Sequence, residues 1–265
     1  VSPECILATN TSSLSVTKMS EGLANPERVI GFHFFNPVAV MPLLEIARTE
    51  KTDDATTATA VSVGKELKKT MVIVKDAPAF VVNRLLMRFM GEITDALDEG
   101  TPPEIADSAM DPLGLPMTSF ELLGLVGPGV ALHVGQSLNG SLGERYRISP
   151  TIERLVKAGV KTFYVKDEKG NQTINPEAAA CLQPGNKPST AEQVRSRALK
   201  ALAQEARMML DEGVVTTPAE IDLCMLMGAG WPMHLGGILP YLDREGLSES
   251  VTGKRFHDKG VASLP

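Results

Sequence analysis

The sequence predicts an α/β plus all-α chain, an α/β layer at the amino end followed by two related helical units. Three observations carry this reading. Short apolar runs rich in Val and Ile, bounded by turn residues, fill residues 5–76 with one helical pattern before the last run. From Phe80 onward the apolar positions recur at three and four residues instead. Finally, part of the helical half repeats at an offset of 116 residues.

Within the first part, "CILAT" (5–9) reads as a short buried strand running into the polar turn "NTSS". "RVIGFHFF" (28–35) is a second strand, stopped by Asn36 and Pro37, and "PLLEIAR" (42–48) is a third. "TDDATTATAVSVGKELKKT" (52–70) has helical character, with Thr52 or Asp53 as its cap and lysines in its last turn. "MVIVKD" (71–76) completes the set as a fourth strand, so strands, a helix and another strand suggest part of an α/β sheet.

The helical part opens with Val82, Leu85, Leu86, Phe89, Met90, Ile93 and Leu97 on one face of a long helix. A second long helix is expected over about 190–210, with Leu199, Leu202, Ala206, Met209 and Leu210 aligned. Between them "TFYVKDEKGNQTINP" (162–176) reads as a hairpin-like excursion and "QPGNKPST" (183–190) as a linker. Glu104, Ile105, Gly114, Pro116 and Met117 match Glu220, Ile221, Gly230, Pro232 and Met233, which implies a duplicated helical unit. The divisions expected are 1–78, 79–186 and 187–265.

Composition bounds the function. The chain has 265 residues, 43% apolar and 22% charged, ordinary values for a soluble globular protein with ample core. A net charge of -6 argues against nucleic acid as partner, because phosphate binding needs a basic face. Cys5, Cys181 and Cys224 form no CxxC pair, which fits a reducing compartment and excludes a cysteine-only metal site. No apolar run approaches a membrane span, no signal peptide is visible, and the final "ASLP" matches no address signal. A cytoplasmic protein is expected. The chain starts with Val and reaches a strand almost at once, so a fragment is expected as well.

The chemistry lies in "GFHFFNPVAVMPLLEIAR" (31–48). Strand alternation puts His33 and Phe35 on one face, Phe32 and Phe34 on the other. The link to the next strand is too short for a parallel crossover, so the two strands pair antiparallel. A turn centred near Ala39 then sets His33 opposite Glu45. A carboxylate beside an imidazole fixes its tautomer and suits it to general base catalysis. From the pair alone, a buried histidine satisfied by a carboxylate, with no catalysis, is the competing reading. Asn10 and Ser12 follow a strand end, where ligands collect in open α/β sheets, and Asn83 opens an apolar helix; capping or turn roles compete for each. His133, His234 and His257 show no metal-ligand spacing and read as structural or solvated.

Taken in order, "ATNTSSLSVT", "GFHFFNPVAVMPLLEIAR", "VIVKDAPAFVVNRLL" and "GLPMTSFELLGLVG" resemble the L-3-hydroxyacyl-CoA dehydrogenases, over residues 5 to about 129. The later "MGAGWPMHLGGILPYLDREG" is similar to the tail of the multifunctional fatty acid β-oxidation α-subunits. The resemblance implies a partial Rossmann-type NAD-binding domain followed by two related helical dehydrogenase C-terminal domains. It implies His33 as the base that takes the substrate hydroxyl proton while hydride passes to NAD, with Glu45 as its orienting acid. Ser12 would contact both cofactor and substrate, Asn36 the cofactor, and Asn83 and Tyr241 the substrate. An acyl-CoA substrate, a thiolase subunit and a second copy of the chain are the partners it implies. The family's GxGxxG turn is absent, and "GLVGPG" (124–129) has the wrong spacing for it, so the first half of the cofactor domain is expected to be missing. Ala79 stands where many relatives have Gly, a change expected to be tolerated. Two alternatives stay open: a single-function 3-hydroxybutyryl-CoA dehydrogenase, and an inactive acyl-CoA-binding or assembly module.

Overall fold

The computed structural model describes residues 1–166, 168, 172–183 and 185–261. These residues form two compact units, one of residues 1–85 with 203–265, the other of residues 86–202.

The first unit is built on a four-stranded sheet in the order β1 (Leu7–Thr9), β2 (Val29–Phe34), β3 (Leu43–Arg48) and β4 (Thr70–Lys75). The β1–β2 and β3–β4 pairs are parallel, and β2–β3 is antiparallel with His33 opposite Glu45, the expected register. One expectation fails. β1 is not buried, because as an edge strand it bonds only to β2, and Leu7 is left 38% exposed.

Between β1 and β2 runs the short α1 (Val16–Ser20). Asp76, just past β4, caps it, accepting from Val16 N, Thr17 N and Ser15 Oγ. α2 (Asp54–Glu66) starts at Asp53, whose carboxylate accepts from Thr56 N. α2 packs on β2, β3 and β4, closing a core of Ile30, Leu44, Ile46 and Ala60 flanked by Phe32, Phe34 and Met71. Alternation along β2 therefore sends its phenylalanines toward α2 and His33 to the opposite face.

After β4 the chain turns at Ala79 and Phe80 into α3 (Val82–Glu99), the long amphipathic helix predicted from its apolar spacing. The second unit continues with α4 (Pro103–Asp107), α5 (Ser119–Val126), α6 (Pro128–Leu142), α7 (Pro150–Ala158), the hairpin strands β5 (Tyr164–Lys166) and β6 (Gln172–Ile174), and α8 (Pro176–Ala180). The tip of the expected hairpin and Pro184 of the expected linker lie outside the described residues. "GLVGPG" is the junction of α5 and α6, with Gly127 between them.

α9 (Ala191–Asp211) is the second long helix, and α10 (Pro218–Gly228), α11 (Ile238–Arg244) and α12 (Leu247–Thr252) follow it in the first unit. Both repeats break the long helix at a positive-φ glycine, Gly100 or Gly213, and restart at a proline. In each, the aspartate at the fifth position of the next helix accepts an amide from a later one. Asp107 takes Phe120 N at 2.9 Å and Tyr164 Oη at 2.6 Å. Asp222 takes Leu239 N at 2.8 Å and pairs with His257 Nε2 at 2.7 Å. His257 is thus tied to the second repeat through Asp222. Among the described residues no helix is long and apolar enough to cross a membrane.

Candidate active site

His33 and Glu45 face away from α2 on adjacent strands, with Nδ1 2.7 Å from Oε2. Both are buried, Glu45 completely. A carboxylate buried to that degree needs donors on all sides. Its other oxygen, Oε1, accepts the backbone N–H groups of Val81 and Val82, each at 3.1 Å. Those amides open α3, where the first N–H groups have no partner within the helix and the macrodipole favours negative charge. Two amide donors on Oε1 suit the carboxylate form, the arrangement in which His33 Nδ1–H donates to Oε2. That leaves the lone pair on Nε2, which meets no hydrogen-bond partner among the described residues.

The rings around His33 restrict it further. Phe35 lies 4.5 Å away and Phe80 5.6 Å away between centroids. Phe80 reaches that position because Ala79 and Phe80 both adopt left-handed backbone, φ 59° and 52°. Such values in consecutive non-glycine residues are strained. The turn they make aims the Val81 and Val82 amides at Glu45. The Ala79 conformation is one that suits glycine better.

On the other side of Glu45 stands α10, packed on β3 and β4. A Cβ on its Gly228 would lie 2.5 Å from Leu43 Cδ2 and 2.9 Å from Val82 Cγ2, so only glycine lets the helix come this close. Cys224 of α10 is buried, and that burial, with the Glu45 and Glu220 carboxylates adding to it, pushes its thiol well up and keeps it protonated.

The remaining predicted residues fall into two groups. Asn83 donates from Nδ2 to the Ser12 carbonyl at 3.4 Å, so Ser12 and Asn83 are neighbours at the start of α3. Asn36 is exposed in the loop after β2, and Tyr241 is half-buried on α11, its ring 6.4 Å from that of Trp231. Sequence reasoning passed over Asp76, Phe80, Arg84 and the two α3 amides. Spacing carries no signal for a backbone donor, although the helix start at Val82 hinted at unpaired amides there.

Polar groups gather at the carboxyl ends of β1 and β2. Asn10 Oδ1 accepts Phe34 N at 3.0 Å and ties the two strand ends together, and the Asn36 amide is exposed without a partner among the described residues. No described strand-to-helix turn has the glycine pattern that cradles a pyrophosphate.

Residues 1–77 match the family model "3-hydroxyacyl-CoA dehydrogenase, NAD binding domain", and residues 80–168 match "3-hydroxyacyl-CoA dehydrogenase, C-terminal domain". The chain belongs to the 3-hydroxyacyl-CoA dehydrogenase family. A similar curated relative is the fatty acid oxidation complex subunit alpha of Acinetobacter baylyi, 32% identical over 262 residues; the match covers 93% of this chain and 36% of that protein. The chain thus spans about a third of the length of such relatives. Among solved structures, 3-hydroxybutyryl-CoA dehydrogenase from Escherichia coli shares the fold over 98% of this chain and 75% of its own, at TM-score 0.72 and 22% identity. The (S)-3-hydroxybutyryl-CoA dehydrogenase PaaH1 from Ralstonia eutropha is 36% identical at TM-score 0.56, covering 60% of this chain and 57% of its own.

Proposed function

We propose that this member of the 3-hydroxyacyl-CoA dehydrogenase family is the dehydrogenase part of a multifunctional β-oxidation subunit, oxidising (S)-3-hydroxyacyl-CoA to 3-ketoacyl-CoA. The observation that carries the reading is the Nδ1–Oε2 contact of 2.7 Å between two buried side chains. Held through Nδ1, His33 offers Nε2 to the substrate hydroxyl and takes its proton. Glu45 orients the ring and stabilises the imidazolium that results. Bound NAD+ supplies the hydride acceptor. Ser12 and Asn36 are the residues we assign to the cofactor, and Ser12, Asn83 and Tyr241 those to substrate. The Asn83–Ser12 contact supports a shared role for those two. Residues 1–78, 79–186 and 187–265 are the cofactor domain portion and two helical repeats in this reading. The relatives named as alpha subunits of a complex support a thiolase subunit as partner, and the duplicated helical unit supports self-association between repeats or subunits.

A single-function 3-hydroxybutyryl-CoA dehydrogenase remains the second reading. The E. coli structure of that name shares the fold over 98% of the chain, so the second helical repeat does not separate the two. The test is NADH consumption with acetoacetyl-CoA, followed by absorbance. Turnover is expected where NADH binds. Absence of turnover, together with absence of NADH binding, would leave an acyl-CoA-binding or assembly module as the function of this chain.

A further inference from the structure

Arg84 is the third residue of α3, two positions beyond Val82, and its side chain is completely buried. Nε donates to Glu205 Oε1 at 2.6 Å, and Glu205 is buried to the same degree. The two terminal nitrogens fork onto Glu212, at 2.6 Å to Oε2 and 3.0 Å to Oε1, on the more exposed side. Glu205 lies within α9, and Glu212 is the residue that follows it.

Stability alone is a poor reason for this triad. Taking an arginine and a glutamate out of water is expensive, and apolar residues of similar volume often hold a fold as well or better. A planar guanidinium gripped on two edges does something an apolar anchor does not: it fixes direction as well as distance. Here it fixes the rotation and axial position of the first turn of α3. That turn carries the Val81 and Val82 amides on Glu45 Oε1 and Asn83 against Ser12. Two further ties hold the same region to residues 203–265. Lys75 N donates to Val214 O at 2.8 Å, and Gly228 seats α10 against Leu43 and Val82.

We propose that Arg84 is a positioning residue for the His33–Glu45 pair, acting with Glu205 and Glu212 through the first turn of α3. Slippage of that turn would move the two amides off Oε1, rotate the carboxylate, and tilt the imidazole whose Nε2 must meet the substrate hydroxyl. Displacements of about 1 Å in such arrangements cost on the order of 10²-fold in rate. The role rests on the reading of His33 as the base.

The test compares Arg84→Met with the unaltered full chain by two readouts. One is the His33 Nδ1–H proton resonance in protein labelled at its histidines, assigned by its loss in His33→Ala. The other is the split between kcat and KM in NADH-dependent reduction of acetoacetyl-CoA. A displaced or exchange-broadened resonance, with kcat down ~10- to 10²-fold and KM within about threefold, is expected. A folded variant with the unaltered resonance and kcat would overturn the proposal. If Arg84→Met strands the Glu205 charge and does not fold, the pair Arg84→Met with Glu205→Leu removes both charges and is read in the same way. Failure of both to fold makes the triad a requirement of the fold itself, and the proposal falls. If the unaltered protein turns over no substrate although it binds NADH, the reading of His33 as the base fails; without NADH binding the proposed function fails, and in either case the resonance still decides whether Arg84 governs the pair.

Discussion

Glu45 divides its two carboxylate oxygens between the His33 ring on β2 and the Val81 and Val82 amides that open α3. One buried side chain thus joins two strands and a helix start. Orientation of the base is tied to how the helix docks.

Three donors converge on Glu45, so both oxygens must accept. Gln in its place has one acceptor and one donor group. Facing the amides with its oxygen, Glu45→Gln forces His33 Nδ1 to become the acceptor and moves the proton to Nε2, where a base needs its lone pair. The expected outcome is a folded protein, within about 1–3 kcal/mol by urea unfolding, whose kcat falls at least ~10²-fold. His33→Ala is expected to lose as much. Near-normal turnover in His33→Ala would remove His33 from the mechanism.

Ala79 has φ 59° and is almost fully buried. Left-handed backbone costs an alanine about 1–2 kcal/mol, partly offset in glycine by the greater freedom it loses on folding. Ala79→Gly is therefore expected to raise stability by about 0.5–1 kcal/mol in chemical denaturation. Ala79→Val, β-branched at the same dihedral, should lower it by more than that. A destabilised glycine variant would mean the strain is compensated by contacts of the alanine methyl.

Burial raises the carboxyl of Asp95 to about 6, against the Arg147 guanidinium, which works to lower it. The folded chain then holds this proton more tightly than the unfolded chain does, whose carboxyl titrates near 4. The sign follows: the contribution is fully present below about pH 4 and is lost as pH rises through about 6. Asp95→Asn cannot ionise. Its stability relative to the unaltered protein should climb across that window by about 1–2 kcal/mol, after allowance for partial exposure, and level off above it. A difference independent of pH would place the ionised Asp95 at no disadvantage in the fold.

Much of the site was legible because the signals were local. A period of two over "GFHFF", a link too short for a crossover, and a turn near Ala39 were enough to set His33 opposite Glu45. The period of α3 and its repeat in α9 were equally plain in the order of apolar residues. "CILAT" was misjudged as buried because an apolar run reports what a strand is made of, and only the arrangement of its neighbours decides what covers it.

By itself the sequence determined the four strands and the long helices, the antiparallel pairing of β2 with β3, and which histidine meets which acid, since each depends on residues close in the chain. Tertiary structure alone decided what holds that pair. The amides of Val81 and Val82 come from 36 and 37 residues beyond Glu45, the grip of Glu205 on Arg84 from 121 residues away, and the seat of Gly228 on Leu43 from the second helical repeat. Backbone donors look alike in every residue, and an arginine does not state which glutamate it will find. Such partners exist only once the chain has closed on itself and burial has made each unpaired charge too costly to leave.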